Sequence, residues 1–331
     1  MRLRLISAAL AALLAAGACG DDAPTTLTIY SGRSEDLIAP LIERFESESG
    51  IAVEVRYASS TDLAATLREE GSNSPADVFF AQDPASLGAV AEAGLFRTLP
   101  DSITSLVPSQ FSDRDELWVG VSGRSRVVVY DSTRLSPEDL PANVDGFADP
   151  VWRGRIGIAP SNASFLAFVA AMILERGEGA TRSWLEGIAA NAPQIFSGNA
   201  PIVAAVDEGT VEVGLVNHYY LFGLIADKGA SIAANHFFTT AGAESLVMPA
   251  GAGILATSDN AAAEEFLAFL LTAESQRYFA EETFEYPLIA GVDAPVGLPA
   301  LADLAQPDVD LSDLAAALDL ATDLVAAAGL L

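Results

Sequence analysis

The chain has 331 residues, of which 51% are hydrophobic and 19% are charged, a composition that excludes an intrinsically disordered protein. Acidic residues outnumber basic ones by 45 to 17, so the formal net charge is −28, and nucleic-acid binding, which needs clustered basic side chains, is disfavoured. The length suits about two domains. The single cysteine, Cys19, excludes an internal disulfide and a cysteine-rich metal site.

Residues 1–18 have the pattern of a secretory signal peptide: basic Arg2 and Arg4, an apolar run, and a small-residue cleavage site. Cys19 follows directly, an arrangement that resembles the lipobox of bacterial lipoproteins, whose cysteine is lipidated and becomes the mature N-terminus. We therefore expect residues 19–26 to be a tether that holds the protein in the periplasm or on the outer face of the cytoplasmic membrane. The apolar run is shorter than the ~20 residues of a transmembrane helix. The alternative is an ordinary signal peptide with an incidental cysteine.

After the tether, predicted strands and helices alternate. Strands are predicted at residues 27–30, 51–57 and 78–80, and each is followed by a helix, at residues 37–50, 59–71 and 85–93. This order predicts a parallel sheet with right-handed crossovers. The loops after the three strands, residues 31–34, 58–61 and 82–83, are then expected to meet at one edge, where ligands bind in open α/β sheets.

The middle of the chain is expected to form a second lobe. Strands predicted at residues 118–121 and 126–130 flank a turn at Ser122-Gly123-Arg124-Ser125, where the chain crosses over. A strand at 155–159 ends in small polar residues and is followed by a helix at 165–176. The free N–H groups and dipole of that helix start predict an anion site. The alternative is a plain helix cap made by Ser161 or Asn162.

Further helices are predicted at residues 181–190 and 200–208, before a strand at 211–216. A glycine-broken strand at 247–256 is expected to return the chain to the first lobe. The predicted helices of the remaining chain are residues 261–271, 274–282 and 311–331.

Polar side chains follow the strand at 211–216, where a ligand is expected. They are Asn217, His218, Tyr219 and Tyr220. Two phenol oxygens that become anionic suit a hard trivalent cation such as Fe³⁺, because a bound cation lowers the pKa of its ligands. The alternative is that Tyr219 and Tyr220 form a half-buried pair that caps a helix.

Together these residues resemble the periplasmic ferric-iron-binding proteins, the substrate-binding components of bacterial ABC importers. The resemblance runs in order over about residues 27–330 and is carried by Tyr30-Ser31-Gly32-Arg33, Glu69-Glu70-Gly71-Ser72, Ser74-Pro75-Ala76-Asp77-Val78-Phe79, Ser122-Gly123-Arg124-Ser125-Arg126-Val127-Val128-Val129-Tyr130, Trp152-Arg153-Gly154-Arg155-Ile156-Gly157, Asn217-His218-Tyr219-Tyr220 and Glu285-Tyr286-Pro287-Leu288.

The resemblance implies an α/β fold of the type II periplasmic-binding-protein kind, with two lobes joined by a hinge over a ligand cleft. The lobes would be residues 27–125 with 247–300, and residues 126–246 with 301–331. It also implies a monomer without enzymatic activity that captures Fe³⁺ with a synergistic anion. The partners implied are the permease and ATPase subunits of an ABC importer.

The resemblance places Tyr219 and Tyr220 as metal ligands. Where the best-known pattern has a ligating histidine and glutamate, this chain has Ser34 and Gln82. Two phenolates leave one positive charge on Fe³⁺, so the carbonate-using members are the nearest match, with Arg33 balancing a divalent carbonate. The predicted anion site comprises Arg33, Ser34, Gln82, Asn162, Ala163, Ser164 and Asn217. Arg124 and Arg126 are expected in structural pairs, and Tyr57 is left unassigned as a third tyrosine.

Other functions have less support in the sequence. The two histidines, His218 and His236, show no metal-ligand spacing, and neither a Gly-x-Ser-x-Gly elbow nor a glycine-rich phosphate loop is present. The alternatives within binding proteins are a polyamine, thiamine, or an oxyanion without metal. The alternative from another class is an acidic surface lipoprotein that acts as an adhesin or scaffold.

Overall fold

The computed structural model describes residues 26–331, so the predicted signal peptide and Cys19 lie outside the described residues. The strands are β1 (Thr26–Ser31), β2 (Ala52–Tyr57), β3 (Val78–Ala81), β4 (Val119–Asp131), β5 (Ile156–Ile158), β6 (Gln194–Ile195), β7 (Val213–Asn217), β8 (Ala233–His236), β9 (Val247–Ile254) and β10 (Tyr286–Pro287). The helices are α1 (Glu35–Ser49), α2 (Ser60–Glu70), α3 (Pro84–Glu92), α4 (Asp101–Thr104), α5 (Ala163–Ala190), α6 (Asn199–Asp207), α7 (Tyr219–Lys228), α8 (Ala262–Leu270), α9 (Ala273–Glu281) and α10 (Leu314–Ala327). Within this range no helix is both long and apolar enough to span a membrane.

The first sheet has the predicted parallel core. β1 lies between β2 and β3 and is parallel to both, while β9 runs antiparallel to β3 and continues the sheet to β4. The loops after the strands meet as expected. The backbone N–H of Gly32 donates to the Phe80 carbonyl at 2.8 Å, and the backbone N–H of Gln82 donates to Ser60 Oγ at 2.8 Å. The carboxyl edge of this sheet is therefore built from three loops tied to one another.

β4 is one continuous strand of 13 residues, and all of them are buried. The predicted turn at Ser122–Ser125 is therefore wrong. Residues 119–125 pair with β9, whereas residues 126–131 pair with β7 and β8, so the strand passes from the first sheet into the second. Small polar residues mimic a turn here, but Gly123 is needed for close packing: an added Cβ would lie 2.8 Å from Val247 Cγ1.

The second sheet continues from β4 through β7 to β5 and β6, with β8 pairing to β4. β7 is antiparallel to β4 and parallel to β5. The two helices predicted after β5 form one run, α5, which is interrupted at Gly177, where φ is 83°. Glycine adopts this left-handed conformation without the steric cost that a Cβ imposes.

The closing helix α10 packs against both α3 and α5, one from each half of the molecule. Its contact with α3 is close, since a Cβ added to Gly88 would lie 2.8 Å from the Ala315 Cβ. The assignment of residues 301–331 to the C-terminal lobe, like the other lobe boundaries, stays a prediction.

Candidate metal and anion site

A cavity of about 70 Å³ lies where the ends of the two sheets face each other. Its walls come from the loop after β3, from β4 and β9, and from the starts of α5 and α7. The lining residues are Gln82, Asp83, Arg124, Asn162, Ala163, Ser164, Asn217, Tyr220 and Met248. The cavity therefore brings together five residues of the predicted anion site and one of the two predicted metal ligands.

The paired tyrosines begin α7 directly after β7. All of β7 is buried, and the backbone turns from strand into helix at His218, whose φ and ψ are −57° and −39°. The rings of Tyr219 and Tyr220 stack with centroids 4.3 Å apart and planes at 27°. Burial raises the pKa of Tyr219, and the neighbouring Tyr220 raises it further. Without a cation, the Tyr219 phenol therefore keeps its proton at neutral pH.

His218 fixes the start of α7 and is fully buried. Its Nδ1 accepts a hydrogen bond from the Ser125 amide at 3.1 Å, and Nε2 lies 2.7 Å from the Phe284 carbonyl, so the proton sits on Nε2. Burial lowers the pKa of His218 to about 4, so the ring is neutral. Because both ring nitrogens bind backbone groups, His218 holds the first turn of α7, which carries the tyrosines, against neighbouring segments.

The start of α5 carries a connected polar network. Asn162 Oδ1 accepts from the Ser164 amide at 3.0 Å and caps the helix, as the plain-cap alternative expected. Arg126 Nη1 lies 3.3 Å from Ser164 Oγ and 3.1 Å from Asn217 Oδ1. Asn199, which the sequence analysis missed, accepts from Arg126 at 3.4 Å and donates to Asn162 at 3.3 Å.

Arg126 carries a buried positive charge next to the tyrosines. Burial lowers its pKa to about 10, so the guanidinium is still charged at neutral pH. Its hydrogen bonds go to neutral side chains, and it lies over the Phe168 ring at 5.5 Å. The turn expected to hold Arg126 in a structural pair is absent, and the residue instead backs the anion wall.

The position predicted for Arg33 is corrected by the structure. Its guanidinium makes a two-pronged pair with Glu285, at 3.0 Å from Nη1 and 2.6 Å from Nη2, and also donates to Gln82 at 3.2 Å. Arg33 does not line the cavity, whereas Arg124 does. Arg124 is 3% exposed, and its guanidinium donates no hydrogen bond to any of the described residues 26–331. Arg124 does form an ion pair, with Glu285 at 3.8 Å, but it also lines the cavity, and the sequence did not indicate Glu285 as the partner of either arginine.

One more predicted anion residue, Ser34, lies outside the cavity, as does Tyr57, which was left unassigned. Ser34 is exposed at the N-terminus of α1 and does not line the cavity, so it is not placed to hold the anion. Tyr57 ends β2 and does not line the cavity either.

Asp83, which the sequence analysis did not single out, lines the cavity beside Gln82. Its carboxylate accepts from the Ser86 amide at 2.8 Å and the Ser86 hydroxyl at 3.0 Å. Its place directly after a buried strand was the available signal. Across residues 26–331, no group of three or more His, Cys, Asp or Glu side chains could hold a metal. A metal in this cavity would therefore need donors beyond the single carboxylate of Asp83, such as tyrosine oxygens or an anion.

The chain is similar to known proteins over most of its length. A family model described as bacterial extracellular solute-binding protein matches residues 73–311. The major ferric iron-binding protein of Neisseria meningitidis serogroup B is 34% identical over 306 residues, covering 90% of this chain and 92% of that protein. The Fe(3+)-binding periplasmic protein of Serratia marcescens is 32% identical over 324 residues, covering 95% and 96%.

Among solved structures, iron-bound HitA from Pseudomonas aeruginosa matches with a TM-score of 0.87 and 32% identity, over 92% of this chain and all of that chain (100%). The Trichodesmium protein IdiA (FutA), in complex with iron and citrate ligands, matches with a TM-score of 0.82 and 26% identity over 92% and 100%. These matches confirm the predicted α/β fold with two lobes of the type II periplasmic-binding-protein kind.

Proposed function

The chain belongs to the bacterial extracellular solute-binding proteins, and from this premise we propose that it captures Fe³⁺ and delivers it to an ABC importer. The observation that carries the proposal is the stacked pair Tyr219 and Tyr220 at a cavity that also contains an anion wall. Phenolates are hard anionic ligands, and the cavity offers a trivalent cation tyrosine oxygen beside the carboxylate of Asp83.

The anion is proposed to bind between Arg124 and the start of α5. Fe³⁺ with two phenolates keeps one positive charge, and Arg124 adds a second. The charges of Arg126 and Asp83 oppose each other, so a divalent carbonate would neutralise the group. Arg33 is already compensated by Glu285 and contributes no net charge. The helix start at Ala163 and the side chains of Asn162, Gln82 and Asn217 supply neutral polar groups around the anion.

The arrangement also argues against the alternatives within this fold. Arg124 lines the cavity and Arg126 backs it, and neither guanidinium hydrogen-bonds to a carboxylate of the described residues. The carboxylates of Glu285 and Asp83 offset two of the three guanidiniums of Arg33, Arg124 and Arg126. The remaining positive charge repels a polyamine or thiamine, which are cations themselves. An oxyanion without metal stays as the second candidate, favoured by the same two arginines, and an iron titration separates the two.

We also propose that the protein works as a monomer outside the cytoplasmic membrane, tethered through a lipid on Cys19, and docks on the permease of its importer. The support is the order of basic, apolar and small residues that ends at Cys19. Mass spectrometry of the mature N-terminus tests the anchor: a lipid-modified Cys19 is expected, and an unmodified cysteine would contradict it.

The test of the whole proposal is an iron titration of the mature, untethered protein in bicarbonate buffer. We expect one Fe³⁺ per chain, a visible phenolate-to-iron absorption band, and a higher melting temperature. Weaker binding in carbonate-free buffer is expected from the charge argument. Colourless protein that binds carbonate or phosphate alone would favour the metal-free oxyanion function instead. The absence of both metal and anion binding would favour the adhesin or scaffold alternative.

A further inference from the structure

The buried carboxylate of Glu285 connects the two arginines next to the cavity. It is 1% exposed and receives both arms of Arg33, at 2.6 and 3.0 Å. Its Oε1 lies 3.8 Å from Nε of Arg124, an ion-pair distance without a hydrogen bond. Burial alone would raise the pKa of Glu285, but Arg33 and Arg124 hold it below the usual value, so the group is ionised.

Several hydrogen bonds hold the Glu285 carboxylate in place in addition to those from Arg33. Ser122 Oγ and Thr283 Oγ1 each donate to its Oε2 at 3.1 Å, which ties the carboxylate to β4 and to its own loop. The preceding residue, Phe284, has a φ of 57°, an uncommon conformation for a bulky side chain. Neighbouring contacts hold this strained turn, which aims the next side chain inward.

The same turn contacts the helix that carries the tyrosines. Nε2 of His218 donates to the Phe284 carbonyl at 2.7 Å, and the Phe284 ring stacks on Phe222 with centroids 5.6 Å apart. The backbone before Glu285 is therefore fixed against the first turn of α7. This arrangement keeps Glu285 at a set distance from both the arginines and the tyrosine pair.

We propose that Glu285 is a positioning residue that sets the charge of the anion site. It cancels one of the two buried guanidiniums that it pairs with, Arg33 and Arg124, and leaves this group of three with one net positive charge to attract the ligand. The partner class selected is a small divalent oxyanion, because a second uncompensated guanidinium would favour a more highly charged one. The inference rests on the proposed function, since it concerns the anion site of that function.

Three variants test this role through charge alone. Arg33→Gln leaves Glu285 to cancel Arg124, so the site loses its net charge. Glu285→Gln leaves both arginines uncompensated, so the site gains one positive charge. The double variant Arg33→Gln/Glu285→Gln returns the site to the wild-type net charge with a neutral amide pair in place of the ion pair.

The measurement is sulfate binding to the iron-free protein by calorimetry, with the free energy of unfolding of each variant recorded alongside. We expect Arg33→Gln to bind sulfate about tenfold or more weakly than wild type, and Glu285→Gln to bind it about tenfold or more tightly. The double variant should lie within a few-fold of wild type. If Glu285 had only a structural role, its replacement in addition to Arg33 would not raise the affinity for sulfate.

Glu285→Gln leaves a buried charge without its partner and is the variant that can fail to fold. If it does not fold, the comparison of Arg33→Gln with the double variant tests the proposal by itself. The double variant must then bind sulfate more tightly than Arg33→Gln does. Equal or weaker binding by the double variant overturns the proposal. Because sulfate is measured without iron, this result is independent of whether Fe³⁺ is the cargo, which the wild-type iron titration tests separately.

Discussion

Tyr219 and Tyr220 stack face to face, 4.3 Å between ring centroids, at the first turn of α7, and only Tyr220 lines the cavity. Burial and the neighbouring Tyr220 raise the pKa of Tyr219, so a cation that used both phenols would have to displace the Tyr219 proton.

Replacing both tyrosines with Phe is expected to abolish the phenolate–iron absorption and the iron-dependent rise in melting temperature. Phe keeps the stacked rings and removes only the oxygen donors, so the metal-free protein should unfold at nearly the same temperature. Tyr57→Phe is the matched control, because Tyr57 does not line the cavity and its loss should leave the colour intact. A double variant that still bound iron stoichiometrically would refute the ligand assignment.

Arg124→Gln is expected to weaken iron binding and its dependence on bicarbonate together. A charge-assisted hydrogen bond contributes roughly 1.5–3 kcal/mol, so the loss of one implies a drop of about ten- to a hundredfold. The matched control is Arg114→Gln, which removes an exposed guanidinium paired with Asp313 and should change neither quantity. Citrate competition with and without bicarbonate measures both. An Arg124→Gln protein with unchanged bicarbonate dependence would exclude this arginine from the anion site.

Iron binding is expected to release protons, because burial and the neighbouring Tyr220 raise the pKa of Tyr219 in the metal-free protein. A phenol with a raised pKa is protonated throughout the neutral range, and the cation must displace that proton to bind the oxygen. The affinity for iron should therefore fall as the pH falls. Calorimetry in buffers of different ionisation enthalpy counts the protons, and Tyr219→Phe should release about one fewer per iron. Equal proton release from both proteins would contradict the expected role of Tyr219.

Gly32→Ala is expected to destabilise the fold and disturb the cavity. The new Cβ would lie 2.0 Å from Ser60 Oγ and 2.9 Å from Ser60 Cα, so the α2 start must move. Ser60 Oγ accepts from the Gln82 amide, so the Gln82 loop moves with it. We expect a loss of about 1–3 kcal/mol in the free energy of unfolding.

The matched control for Gly32→Ala is Gly179→Ala. Gly179 is an exposed residue of α5 with nothing within 4 Å of its would-be Cβ, so this change should stabilise the helix by up to about 1 kcal/mol. Urea denaturation of both variants gives the comparison. Similar stability changes in the two would show that the close approach of Gly32 to Ser60 has no energetic consequence.

Glu244→Gln is expected to stabilise the protein at neutral pH. Burial raises the pKa of Glu244, and nearby Glu175 and Asp145 raise it further. A carboxyl group whose folded-state pKa is raised stabilises the fold in acid and loses that contribution as the pH rises through the raised value. The gain from Gln should therefore be present at pH 7 and vanish below about pH 4, where the wild-type carboxyl group is protonated in both states.

Denaturant unfolding across this pH range tests the prediction for Glu244. The control is Glu138→Gln. The Glu138 side chain is exposed, so its replacement should leave the free energy of unfolding nearly unchanged across this pH range. A Glu244→Gln variant that is less stable at pH 7 would mean that the ionised carboxylate contributes a favourable interaction, for example with Arg126 across the small cavity that both line.

The sequence by itself determined the alternation of strands and helices at the start of the fold and the segment that contains the paired tyrosines. Hydrophobic periodicity and helix caps fix local structure within a few residues, so the strands β1, β2 and β3 and the helices between them were predictable. Topology then follows from the right-handed crossover, which brings the loops after these strands to one edge. The adjacency of Tyr219 and Tyr220 after a buried strand was equally visible, because both residues belong to one local segment.

Only the tertiary structure decided which charged groups face the cavity. Arg33 and Glu285 are 252 residues apart, and no local pattern indicates that they form one ion pair. The same holds for β4, whose Ser-Gly-Arg-Ser segment has turn composition yet lies inside a strand, because buried partners from distant segments hydrogen-bond to the Ser122 hydroxyl and the Ser125 amide. Side-chain charge acts over distances in space rather than along the chain, so the positions of Arg33 and Arg124 relative to the cavity became apparent only when the fold placed Glu285 between them.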